Sequence, residues 1–237
     1  METQDTESLF YFKVVPAIAA NKNRIIAVLG AIVLVIFVVL FFSWQKDQKE
    51  INAGQAFSQI WVTVQPGVNP SQVAAQYLKI ATDYADTQTG QRALLQGATS
   101  YFQAGNYTDA QAQFQKFADA NPNSSLVATA LLGVASSLEA QGKSADALTA
   151  YHKVLDTTTD AAAQLSAKFA TGRLLEQQGK GADALRFYEE IARSAPNSSL
   201  GQQASLKGTE LAATLPKPAP ISTVPPAKTI TLTPPAK

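Results

Sequence analysis

The 237-residue chain has no cysteine and a single histidine, His152. Without cysteine there can be no disulfide, thiolate nucleophile, zinc–thiolate site or iron–sulfur cluster, whatever the redox compartment. With one histidine, any two-histidine metal site or Ser-His-Asp array would rest on His152 alone. That residue falls one position off an apolar helical stripe, where a partly exposed structural role is expected. Charge of one sign is also lacking, because 19 Lys and Arg stand against 18 Asp and Glu. A balanced chain has no long-range field to gather nucleic acid or another polyanion. Gly179-Lys180-Gly181 lacks the glycine spacing and the Ser/Thr of a phosphate loop. Glu189 and Glu190 are neighbours on a helix and diverge by about 100°, the wrong geometry for an acid/base pair. The residues offer no catalytic constellation, no metal or cofactor site and no small-molecule substrate, so the expectation is a protein that is not an enzyme.

What the chain does have is architecture. Apolar residues make up 46% of it, and the run 25–44, IIAVLGAIVLVIFVVLFFSW, contains neither charge nor proline. Twenty helical residues span about 30 Å, the thickness of a bilayer's hydrocarbon core. A signal peptide would have a shorter apolar region followed by a small-residue cleavage site. Here the run is long and continues into Trp44-Gln45-Lys46-Asp47, which reads as an uncleaved anchor. Lys13, Lys22 and Arg24 precede it, and Lys46 and Lys49 follow. That bias places segment 1–24 in the cytoplasm and the remainder outside it.

Beyond the anchor the sequence repeats itself every 37 residues. Gly105, Gly142 and Gly179 keep this period, as do Ala110, Ala147 and Ala184, and Phe114, Tyr151 and Tyr188. Phe117, Val154 and Ile191 continue it, with Ala98, Ala135 and Gly172. Asn123-Ser124-Ser125 and Asn197-Ser198-Ser199 lie two periods apart, and Tyr77–Ile80 stands one period before Phe114–Phe117, the mark of a degenerate earlier unit. Within a unit, Leu94, Leu95, Ala98, Tyr101 and Phe102 recur at helical spacing up to a glycine turn. Ala110, Phe114 and Phe117 then form a second stripe, which Asn121-Pro122 ends. Small residues facing small residues let two such helices approach closely. The expectation is all-α: antiparallel helix-turn-helix units stacked one on the next.

On these residues the chain resembles the tetratricopeptide repeat (TPR) family. The family's order of small residue, aromatic or Leu, Gly, Ala, aromatic and Pro reads here as Ala98, Tyr101, Gly105, Ala110, Phe114 and Pro122. It recurs as Ala135, Leu138, Gly142, Ala147 and Tyr151, and as Gly172, Leu175, Gly179, Ala184, Tyr188 and Pro196. The 37-residue period exceeds the family's usual 34, no first-helix tryptophan is present, and Thr159 stands where a proline would fall. Residues 70–215 hold the repeats and a final capping helix, to which Gly201–Leu215 would contribute Leu206 and Leu211. Residues 45–69 form a helical neck and the start of the degenerate unit, lending it Ile51, Phe57, Ile60 and Trp61. Asn69-Pro70 has the chemistry of an N-cap and first helical residue. The tail 216–237 carries seven prolines and no acid, a composition for a polyproline-like or disordered segment.

What the resemblance implies is a concave groove lined by the first helix of each unit. Its partner-facing positions here would be Arg92, Thr99, Phe102 and Gln103, then Ser136 and Glu139, then Arg173 and Glu176. Leu95, Leu132 and Phe169 lie among them. TPRs that clamp a C-terminal carboxylate use a Lys/Asn set that this chain lacks, so the expected guest is an extended or helical protein segment. The whole arrangement looks like the bacterial ancillary subunit of the SecYEG translocon, a family that shares its TPR-domain class with the periplasmic cell-division coordinator working with the Tol system. The resemblance implies a single-pass scaffold of the bacterial inner membrane, with a periplasmic repeat domain. Its partners would be the translocon, exported clients or periplasmic folding factors. The alternative is an envelope or cell-division scaffold whose tail reaches the wall.

Overall fold

The computed structural model describes residues 21–63 and 67–216. Most of the segment 1–24 expected in the cytoplasm and the proline-rich tail beyond Pro216 lie outside the described residues, as does the side chain of Trp61. Among the described residues the chain is all-α: α1 (Lys22–Thr63), α2 (Pro70–Asp83), α3 (Gln88–Gln103), α4 (Tyr107–Ala120), α5 (Val127–Ala140), α6 (Ser144–Thr157), α7 (Ala161–Gln177), α8 (Gly181–Ser194) and α9 (Ser199–Thr214). It divides into two compact units, residues 1–143 with α1–α5 and residues 144–237 with α6–α9.

In the first unit, α1 is a single continuous helix of 42 residues. Its stretch Lys22–Ile60 is long and apolar enough to cross a membrane, with a peak mean hydropathy of 3.4, and the rest of the chain buries none of that apolar window. After the apolar run, Ala53, Ala56, Phe57 and Ile60 recur at spacings of three, one and three, and so share one face. Ala53 and Ile60 are buried, and Phe57 lays its ring 5.1 Å from that of Tyr77 on α2. Val73, Tyr77 and Ile80 of α2 and Ala93 of α3 complete this core. Ile51 does not join it and is half exposed. It sits two residues, about 200°, from the inward Ala53, so size gave way to phase. Asn69 caps α2 through Ser71 N–H at 2.9 Å, with Pro70 at the first helical position.

The repeat columns are the core. Ala110, Phe117, Ala147, Val154, Ala184, Tyr188 and Ile191 are wholly enclosed, and Phe114 and Tyr151 nearly so. Enclosing a large apolar side chain contributes about 1.5–3 kcal/mol, so these columns dominate the stability of both units. Each glycine turn closes the same way. Gly105, Gly142 and Gly179 take φ of 80°, 77° and 74°, a left-handed geometry that other residues adopt at a cost. There Asn106, Lys143 and Lys180 N–H reach back to Tyr101, Leu138 and Leu175 carbonyls at 2.9–3.0 Å. This six-to-one bond is the Schellman ending of a helix.

In the second unit, Ala184, Tyr188, Ile191 and Ala204 form a core with Leu165, Phe169, Leu175, Leu200 and Leu211 packed on it. α9 covers this end with its small residues, Gly201, Ala204 and Gly208. Leu211 packs inward as expected. Leu206 instead is 67% exposed, because the close approach of α9 is set by the glycine-alanine face and Leu206 points away from it.

Candidate partner-binding face

The first helices of the repeats carry the candidate positions, and each unit presents its own set. On α3 the four residues have different surroundings. Thr99 is half-buried and donates its hydroxyl to Leu95 O at 2.9 Å, a local back-bond within the helix. Phe102 is half-buried against Tyr107, centroids 5.1 Å apart, and so braces the α3–α4 turn. Gln103 is exposed at the mouth of a hollow of about 210 Å³ between α2 and α3, lined also by Val68, Val73, Tyr77, Gln96 and Ser100. Burial raises the Tyr77 phenol above its ordinary value. Leu95 is buried, while Leu132 on α5 is only half so. Ser136 and Glu139 on α5 are half-buried and engaged in interactions of their own.

Arg92 lies at another kind of place. It is exposed, and its charge acts on Glu50, which comes from α1 and caps the start of α3. Glu50 accepts from Gln88 N–H at 2.8 Å and Thr89 N–H at 2.9 Å, and from the Thr89 hydroxyl at 2.6 Å. Partial desolvation pushes its carboxyl up. The bonds from Thr89 and Gln88 and the charge of Arg92 more than reverse this, leaving it below the usual carboxylate range. Next to it, Lys49 pairs with Asp86 at 3.0 Å. That bond is the first cause holding the Asp86 carboxyl low.

In the second unit, Arg173 is exposed and Glu176 half-buried on α7. Glu176 accepts the Tyr188 hydroxyl at 2.8 Å and pairs with Lys207 of α9 at 3.5 Å. One carboxylate thus ties α7 to both α8 and α9. Desolvation, then the bond to Glu176, raises the Tyr188 phenol far above its ordinary value, so it stays a donor at any physiological pH. Phe169 packs its ring 5.6 Å from that of Tyr188. His152 is exposed, beside the buried Tyr151. No group of three or more metal-ligating side chains occurs among the described residues.

Two further features join neighbouring helices. Thr87 accepts from Gly90 N–H at 2.9 Å and donates to Tyr84 O at 2.7 Å, joining the end of α2 to the start of α3. Ser198 does the same for α8 and α9, with Gly201 N–H at 2.9 Å and Ala195 O at 2.8 Å. The two turns lie three periods apart, and that spacing was the signal available for them. The Glu50 cap had none, since its partners are 38 and 39 residues away on another helix.

Two crystal structures of TPR-like repeats, both from a Podosopora anserina protein named as a kinesin light chain, superpose on this chain with a TM-score of 0.50. One of the two carries a single substitution. Each is 10% identical and covers 71% of this chain, with 86% and 85% of their own lengths matched. At that identity the likeness speaks for the fold alone. No curated protein matches the chain. The repeated hairpins agree with the family comparison: the tetratricopeptide repeat-like domain family matches residues 18–213, and the chain belongs to it.

Proposed function

We propose that this chain is a single-pass, membrane-anchored TPR scaffold that holds other proteins beside the bacterial inner membrane through the first-helix faces of its repeats. The observation that carries this reading is α1, one unbroken helix whose apolar length matches a bilayer and whose far end is built into the first repeat core. A helix exposed along its whole apolar length needs an apolar solvent, and lipid supplies one. The excess of cations before the run supports a cytoplasmic N-terminus and a periplasmic repeat domain.

The family is one of protein-interaction scaffolds, and the sequence resemblance supports an ancillary role at the SecYEG translocon or in the periplasmic folding network. Thr99, Ser136 and Arg173 are the positions for the test, as photo-crosslinking residues in the full chain in living cells. Crosslinks to channel subunits or to chains in export are the expected result. Crosslinks to division or wall proteins would replace the translocon role with that of an envelope scaffold, and cytosolic partners would reverse the topology.

A further inference from the structure

We infer that the first repeat is latched to the anchor helix so that the α2–α3 turn, residues 84–87, is held against the phospholipid headgroups. The inference rests on the anchor reading above and adds to it a lipid-facing surface on the repeat domain. Helix α1 runs from the apolar segment into the repeat with no break. Residues 49 and 50 lie five and six positions past Trp44, so they stand about 8–9 Å beyond the end of the apolar run. The headgroup layer is about 5–8 Å deep on each side of the hydrocarbon. Tilting α1 towards the side that carries the turn lowers it further.

At this height the chain fastens the repeat. Glu50 holds Gln88 and Thr89 through three hydrogen bonds, and Lys49 holds Asp86. The charge of Lys46, a turn nearer the apolar run, also reaches Asp86. Ala53, Phe57 and Ile60 then pack the same helix onto the repeat core, so the junction has no swivel. Charge does not draw the turn to the surface. Lys46, Lys49, Lys79 and Arg92 are matched one for one by Asp47, Glu50, Asp83 and Asp86. The contact is imposed by the helix and should therefore be insensitive to salt and to lipid charge.

The absence of native cysteine allows single reporters. The full chain is placed in phosphatidylcholine nanodiscs containing a headgroup-nitroxide lipid, with a fluorophore on Val33→Cys, Ala85→Cys or Thr108→Cys, all exposed positions. Thr108 lies past the far end of α3, about 24 Å of helix away from the α2–α3 turn. The Ala85 label should lose most of its fluorescence and the Thr108 label little, at low and high salt alike. Lys49→Ala with Glu50→Ala should restore part of the Ala85 signal. If the Val33 label senses hydrocarbon while the Ala85 label is quenched no more than Thr108, the latch inference is overturned and the anchor stands. Quenching at Ala85 unaltered by the double substitution would overturn the latch as its cause. A Val33 label in water would overturn the anchor reading itself.

Discussion

The α2–α3 and α8–α9 turns are the same device, one in each unit, and the turn between α4 and α5 shows what the device requires. In the first two, a hydroxyl bridges the carbonyl of the residue that caps the end of one helix and the third amide of the next, and that third residue is glycine. A Cβ on Gly90 would lie 1.9 Å from Tyr84 O, and one on Gly201 1.9 Å from Ala195 O. One period after Gly90 the residue is Val127 and the turn is built differently. The Ser124 hydroxyl receives Leu126 N–H at 3.3 Å, and α5 begins only at Val127. The tight bridge and the missing side chain come together or not at all. The glycines within the hairpins differ again. Gly105, Gly142 and Gly179 have open space around them and are needed for their positive φ.

The sharpest way to break this comparison is to fill the tight turns. Gly90→Ala and Gly201→Ala each drive a Cβ into a backbone carbonyl, and no rotamer can relieve that. We expect a loss of about 3 kcal/mol from either, read as thermal unfolding of the detergent-solubilised chain. No loss, or the gain of up to about 1 kcal/mol that an ordinary helical Gly→Ala exchange brings, would show that the turn relaxes freely. Removing the bridge comes next. Thr87→Ala and Ser198→Ala should cost about 1–2 kcal/mol, with the larger effect at Thr87, which is buried where Ser198 is half-buried. Gly105→Ala should cost about 1 kcal/mol through φ alone, and Gly105→Asn less, because asparagine tolerates the left-handed region.

The sequence told most about features that repeat and least about features that occur once. Glycine turns, alanine contacts and the aromatic column were legible because each recurs in one phase, and a chance match in several columns is improbable. Ile51 and Leu206 were misplaced for a physical reason. Ile51 is out of phase with the inner face that Ala53, Ala56, Phe57 and Ile60 share, and Leu206 lies off the small-residue face of Gly201, Ala204 and Gly208 that sets the close approach of α9. In both cases helical phase decided and size was the wrong guide. On the candidate face, the sequence located the first helices but not the work already assigned to their side chains. Glu176 is bound to Tyr188 and Lys207, and Phe102 braces a turn. These are single long-range contacts, and nothing periodic announces them.

The smallest effect separates the two tight turns from each other. The α2–α3 turn has a carboxylate that the α8–α9 turn lacks, because Glu50 adds its bonds to the amides of Gln88 and Thr89 beside the Thr87 bridge. Its folded-state affinity for a proton lies below the ordinary value of 4.5. A group shifted this way stabilises the folded state fully above the unfolded value, and the contribution is lost as pH falls through the lowered folded value. Glu50→Gln keeps an acceptor oxygen but removes the charge, so the variant should lack this acid-dependent part while retaining the turn. Hydrogen exchange, corrected for its intrinsic pH dependence, reads the two turns in one sample. Protection of the Gln88, Thr89 and Gly90 amides should fall between neutral pH and pH values below 4.5, and protection of the Gly201 amide should not follow it through this cause. In Glu50→Gln the difference between the turns should shrink to whatever the Lys49–Asp86 pair, whose carboxyl is also held low, still adds. Equal responses in the unaltered chain would mean that the carboxylate caps α3 without stabilising it, and that the hydroxyl bridge alone sets the strength of both turns.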